Sequence, residues 1–190
     1  MNNLEFSDMF KWTGAIAQTP KIEPALPQST ITPLRRQGFG KIDLSKIETR
    51  SGTVYPAPHD KEVKGRTSQS VGEAGGITQF GANIVTLEPN AKSSIRLWHE
   101  NQDEFAYVVS GELVLFDNNG ETPMRVGDSA TFHANVKNAH CFINRSDSPA
   151  QFLIICSSVD SKIAHYPDLN MKAEITRGIA KFLRDDGTGT

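Results

Sequence analysis

From Gly76 onward the sequence is a succession of short runs rich in β-branched and aromatic residues. GITQFGANIVTLEP, WHENQDEFAYVVSG, GELVLFDNNG, ETPMRVGDSATFHA, AHCFINRS and PAQFLIICSS follow one another, punctuated by Gly, Asn and Asp. Runs of this kind are strands, and the close, even spacing leaves no room for helices between them. A chain built this way folds into an antiparallel sandwich or a closed barrel. Asp117-Asn118-Asn119-Gly120 is a hairpin turn, because Asn and Gly tolerate positive φ.

The first 75 residues read differently. Pro20, Pro24, Pro27, Pro33, Pro56 and Pro58 are spread through them. Proline fixes φ and donates no hydrogen bond, so residues 1–75 are expected to form an extended arm. A short helix is predicted near Glu5 to Trp12, with Phe6, Met9 and Phe10 on one side. Ile31 to Ile42 is expected along a sheet edge or across on a partner subunit. The barrel is assigned to residues 76–171 and a short C-terminal helix and tail to residues 172–190. That helix rests on MKAEITRGIAKFLR, where Ile175, Ile179 and Phe182 recur at helical spacing despite Gly178.

Composition narrows the function classes. The chain has 190 residues, enough for one ordinary domain and an extension, and 37 % hydrophobic content supports a folded core. The formal net charge is −2 and no Lys/Arg run appears, which argues against a nucleic-acid partner. No apolar run approaches the roughly 20 residues of a membrane helix. MNNLEFSDMFKW lacks a basic stretch followed by an apolar core, so it does not read as a signal peptide. Cys141 and Cys156 lie in apolar runs and read as buried free thiols, consistent with a cytoplasmic location.

The chemistry concentrates in RLWHENQDEFAYVVSGEL. Side chains alternate along a strand, so Leu97 and His99 share one face, and Glu104, Ala106 and Val108 share another. A turn at Asn101–Gln102 lets His99 and Glu104 look into the same interior. His140 leads a later strand, with Phe142 and Asn144 on its face. Two imidazoles and one carboxylate make a ligand set for a divalent first-row metal, with positions left open for substrate or oxygen. The same alternation turns Trp98, Tyr107 and Arg96 away from His99. Asp103 reads as solvated, Phe132 and Phe142 as core, and His59 and His165 as structural or exposed. Tyr166-Pro167-Asp168 reads as a turn after the last strand.

From roughly Gly52 to Met171 the chain resembles the cupin superfamily, and most of all the small single-domain cupins of largely unassigned function. Leu97-x-His99, four residues, Glu104, six residues and Gly111 match the first cupin motif. Gly127-Asp128 opens the second, and His140-x3-Asn144 ends it. The resemblance implies an all-β double-stranded β-helix barrel, a homodimer, and a metal held by His99, Glu104 and His140. The chain departs from the pattern in several places. Leu97 stands where the first of three histidines is usual. Asn90 and Asn135 stand at usual glycines, which is mild because Asn is the next-best residue at positive φ. His133 stands at a usual proline, near the barrel mouth.

Two functional expectations follow. The first is a small metal-dependent enzyme of oxygenase, isomerase or decarboxylase type. It would act on a small organic substrate at Fe, Mn, Ni or Zn, with Glu104 and His133 as catalytic groups. The second is a metal-free cupin that binds or senses a small molecule, favoured by the loss of a ligand at Leu97. His133 reads equally as a surface loop residue, and His99, Glu104 and His140 as a hydrogen-bonded relic of a metal site. A DNA-binding regulator would need a helix-turn-helix in the first 75 residues, and their prolines argue against it.

Overall fold

A computed structural model describes residues 40–176 and 179–189. Thirteen strands are present among them: β1 (Arg50–Ser51), β2 (Arg66–Gln69), β3 (Phe80–Leu87), β4 (Trp98–His99), β5 (Glu104–Ser110), β6 (Glu112–Asp117), β7 (Gly120–Arg125), β8 (Ser129–Phe132), β9 (Cys141–Ile143), β10 (Ala150–Ser157), β11 (Ser161–Tyr166), β12 (Met171–Thr176) and β13 (Ile179–Arg184). They form three sheets, ordered β1-β2-β3-β10-β5-β8, β13-β12-β11-β4 and β7-β6-β9. Every pairing between them is antiparallel. The expected all-β barrel architecture is therefore present.

Alternation explains the main core. On β5, Ala106 and Val108 are buried on one face, while Phe105, Tyr107 and Val109 stand outward about 40 % exposed. On β10, Ala150 and Phe152 point the same way as Ala106 and Val108. Val85, Leu87, Leu113, Met124 and Phe142 complete this cluster. Each fully buried Leu or Phe contributes about 1.5–3 kcal/mol. A second cluster joins Ile95, Ala164, Tyr166, Met171 and Ala173, with Leu97 packed against it.

Two motif residues act on the backbone. Gly111 turns β5 into β6 at φ +73°, and a Cβ there would sit 2.9 Å from Ala150 Cα. Glycine is required on both counts. Asn144 is fully buried; its amide donates to Leu87 O and Ser148 O, and its carbonyl accepts from Ser146. Asn90 and Asn135 take φ of +66° and +62°, as expected for substitutes of glycine. Asp117 and Gly120 pair at the mouth of the β6–β7 hairpin, as their sequence predicts.

The C-terminal segment corrects the expectation of a helix. Residues 171–184 form the β12–β13 hairpin, in register from Met171↔Arg184 to Thr176↔Ile179. Met171, Ala173 and Ile175 alternate toward the second cluster, and this period of two outweighs the helical spacing of Ile175, Ile179 and Phe182.

The boundary at residue 75 also moves. β1 and β2 already pair into the large sheet, and a short helix, α1 (Val71–Ala74), packs on β3. β2 escaped notice because RTSQ carries no apolar residue. The helix predicted near Glu5 to Trp12 and nearly all of Ile31 to Ile42 lie outside the described residues. Tyr166-Pro167-Asp168 leads into a 3-10 turn (Pro167–Leu169) between β11 and β12, rather than after the last strand. Its Asp168 binds Arg96 through two contacts of 2.7 and 2.9 Å. Among the described residues, no helix is long and apolar enough to cross a membrane.

Candidate functional site

Four strand ends meet at one buried carboxylate. Glu104 opens β5, with Phe132 beside it on β8 and Cys156 beside it on β10. His99 ends β4, which pairs with β11 through Ala164. His140 precedes β9 and lies opposite Leu97 in an isolated bridge. His140 Nε2 is 3.2 Å from Glu104 Oε2, and His99 Nε2 is 3.6 Å from Glu104 Oε1. The side chains of all three are about nine-tenths buried. The sequence reading brought these residues together, and so does the structure.

A buried carboxylate is costly unless it is paired. Burial pushes the Glu104 carboxyl up, but the hydrogen bonds and charges of His140 and His99 outweigh it and hold the group well below the usual carboxylate range. Glu104 is thus the fixed anion of the site. Cys156 adds a contact that the sequence did not signal: its Sγ lies 3.4 Å from Glu104 Oε1. Burial and then the Glu104 charge push this thiol up to about 12, so it donates as a neutral S–H.

The histidine rings are held in different ways. Phe132 stacks on His140 with centroids 3.4 Å apart and an interplanar angle of 2°. His140 Nδ1 lies 3.4 Å from Asn138 O, and its Nε2 faces Glu104 Oε2. His99 Nδ1 is buried and has no hydrogen-bond partner among the described residues.

The three groups open into a cleft of about 400 Å³, counting its mouth. Trp98, Gln102, Phe132, His133, Val136 and Asn138 are among its walls. His133 is exposed at this mouth, where the sequence reading put it. Trp98 departs from expectation. β4 is only two residues long, so strict alternation fails and Trp98 also forms part of the wall. Its other contacts are a parallel stack on His165 at 4.2 Å and a cation contact from Lys137 Nζ at 5.9 Å. His165 in turn bonds Glu100 at 2.7 Å. Leu97 packs into the second cluster and is not part of the cleft wall, so it does not make the cleft more apolar.

The donor set can be tested against a metal. Two ligands each about 2.1 Å from a common centre lie roughly 3.0–3.6 Å apart for angles between about 90° and 120°. The two histidine–carboxylate spacings fall in this range. Among the described residues, no set of three or more His, Cys, Asp or Glu side chains forms a ready-made metal cage. The fit therefore rests on the chemistry of the donors and on those two spacings.

Comparison with known proteins follows the same lines. The family model described as Cupin domain matches residues 83–156. A sugar phosphate isomerase from a cupin superfamily of Silicibacter pomeroyi DSS-3 is 45 % identical, with a TM-score of 0.78; the match covers 80 % of this chain and 96 % of that one. A candidate sugar phosphate isomerase from Acidithiobacillus ferrooxidans is 24 % identical over 66 % of this chain and 80 % of its own, with a TM-score of 0.60. The polyketide cyclase RemF from Streptomyces resistomycificus is 14 % identical over 64 % of this chain and 81 % of its own, with a TM-score of 0.52. The last two show likeness of fold alone. No curated protein matches the chain.

Proposed function

Because the chain belongs to the cupin superfamily, we propose that it is a small metal-dependent isomerase acting on a phosphorylated hydroxy-carbonyl compound. The observation that carries this reading is the pair of histidine Nε2 atoms facing the two oxygens of one buried carboxylate at a cleft. The name of the 45 % identical relative supports the reaction class. His99, Glu104 and His140 would hold a divalent Fe, Mn, Ni or Zn ion, which when bound polarises a carbonyl oxygen.

The protein's own groups divide the remaining work. Glu104 is held ionised at neutral pH, so it serves as a holding group rather than a proton donor. His133 stands at the mouth outside the buried cluster. In this reading it takes the proton from the hydroxyl-bearing carbon beside the substrate carbonyl and returns it to the former carbonyl carbon, while the hydroxyl proton passes to the former carbonyl oxygen. Phe132 locks the His140 ring, and Trp98 and Phe132 form apolar walls that exclude water from the reacting carbons.

The test is to load the protein anaerobically with each of the four metals and assay aldose–ketose interconversion of small sugar phosphates. His133→Gln should lower kcat at least tenfold with little change in metal content. No interconversion with any metal sinks the isomerase reading.

One observation favours a second reading. The Glu104 carboxylate already contacts His140, His99 and Cys156, so it is partnered without a metal and the cleft could bind a small molecule without catalysis. Metal content of the purified protein separates the two. We also propose a homodimer, favoured by the outward row Phe105, Tyr107 and Val109, which light scattering tests. A cytoplasmic location is proposed on the two free thiols.

A further inference from the structure

Lys162 lies on β11, two residues before Ala164, the partner of His99. Alternation puts it on the same sheet face as Ala164 and therefore as His99. It is half-buried, and its ammonium donates to Gln102 Oε1 at 3.1 Å. Among the described residues, no carboxylate lies within ion-pair distance of it. A half-buried cation satisfied by a neutral amide is unusual, since buried charges are normally paired.

Gln102 is itself buried, 6 % exposed, and its Nε2 donates to Ser157 O at 2.7 Å. The amide is thus fixed at one end by backbone and holds the lysine at the other. Gln102 also forms part of the cleft wall. The Lys162 charge is felt weakly at Cys156, the thiol in contact with Glu104. A second cation, Lys137, follows the wall residue Val136 in sequence, and its Nζ lies 5.9 Å from the ring of the wall residue Trp98. No carboxylate partner is found for Lys137 among the described residues either.

We propose that Lys162, behind the wall residue Gln102 that holds it, is an anion-binding arm at the edge of the cleft that receives the phosphate of the substrate, with Lys137 as an outer contact. The inference deepens the isomerase reading above and rests on it for the substrate class. The chemistry of the arm stands apart from the reaction. A phosphate dianion supplies the negative charge that Lys162 lacks, and the ammonium has donors left after its bond to Gln102. Glu104 cannot be that partner, since its two oxygens already face His99, His140 and Cys156.

The experiment reads binding without turnover. Trp98 is one of two tryptophans in the chain, so Trp12→Phe leaves Trp98 as the fluorescent reporter on the cleft wall. Inorganic phosphate is titrated into the full-length protein against chloride at constant ionic strength. The expected result is saturable binding that Lys162→Met weakens about tenfold or more, the effect of losing a hydrogen bond to a charged group. Lys162→Arg should restore most of it, and Lys137→Met should weaken it less. Absence of saturable binding in the parent overturns the proposal. So does equal binding by a Lys162→Met protein whose melting temperature matches the parent. Those results count even if the protein isomerises a sugar. Conversely, phosphate binding lost in Lys162→Met alongside absent isomerisation sinks the reaction assignment and leaves the anion arm standing.

Discussion

Leu97 lies directly across from His140, in a bridge where the backbone N–H of each donates to the carbonyl of the other. Residues paired this way point to the same face, with Cβ atoms about 5 Å apart. A histidine at 97 would therefore stand beside the His140 ring. Leu97→His is expected to raise metal affinity at least tenfold. The metal-free protein should be less stable by about 1–3 kcal/mol, because an apolar side chain leaves the second cluster. Metal competition with a chromogenic chelator, beside thermal melts, checks both. Unchanged affinity would mean that position 97 does not reach the donor set.

Removing one of the proposed donors should have the opposite effect. His99→Ala and His140→Ala should each abolish metal retention, measured by mass spectrometry of the purified proteins. Near-stoichiometric metal in His99→Ala would rule out the three-donor site.

Glu104 also makes stability depend on acid. Its carboxyl lies lower in the folded chain than its ordinary value of 4.5. The stabilisation is thus fully present above about pH 4.5 and is lost as pH falls from there toward the lowered value. With metal chelated, Glu104→Gln should cost on the order of 3 kcal/mol at neutral pH. The gap between parent and variant should close as pH drops below about 4, a trend that urea melts across pH would reveal. A gap that stays constant with pH contradicts the pairing.

The two thiols titrate on the alkaline side. Burial pushes Cys141 up to about 11, and burial with the Glu104 charge pushes Cys156 up to about 12. A raised value adds stability that is present below the ordinary thiol value of 9.0 and is lost as pH rises through the folded values. Both thiols should resist iodoacetamide at pH 8 in the folded protein and react at once in guanidinium. Mass spectrometry of the alkylated protein gives the answer, and rapid labelling of Cys156 in the native state would count against its contact with Glu104.

Gly111→Ala should destabilise the barrel by about 2–4 kcal/mol, from the positive φ and the crowding against Ala150 together. Gly127→Ala also suffers from positive φ, but a Cβ there meets nothing within 4 Å, so its cost should be smaller. Equal melting temperatures for the two variants would remove Ala150 from the explanation.

Much of this was legible in the sequence because the strands that matter are amphipathic. EFAYVVS and AQFLIICS alternate cleanly, and Gly111, Gly127 and Asn144 mark backbone needs that few residues meet. His99, Glu104 and His140 were legible through spacing. Cys156 and Lys162 were not, since their partners, Glu104 on β5 and Gln102 in the loop before it, are distant in sequence and meet them only through strand register. The stack of His165 on Trp98 was hidden for the same reason. The terminal hairpin was misread because the helical spacing of Ile175, Ile179 and Phe182 competes with the period of two of Met171, Ala173 and Ile175, and packing partners chose between them.

The pairing of β4 with β11 has a consequence for synthesis. His99 emerges from the ribosome well before Ala164 and His165, the residues that hold its strand in the sheet. Glu104 likewise precedes Cys156, and its neighbour His140 arrives between them. Glu104 is therefore made before either of those partners, and His99 before the strand that pairs with β4. The cleft exists only after the later half of the barrel has closed over the earlier one.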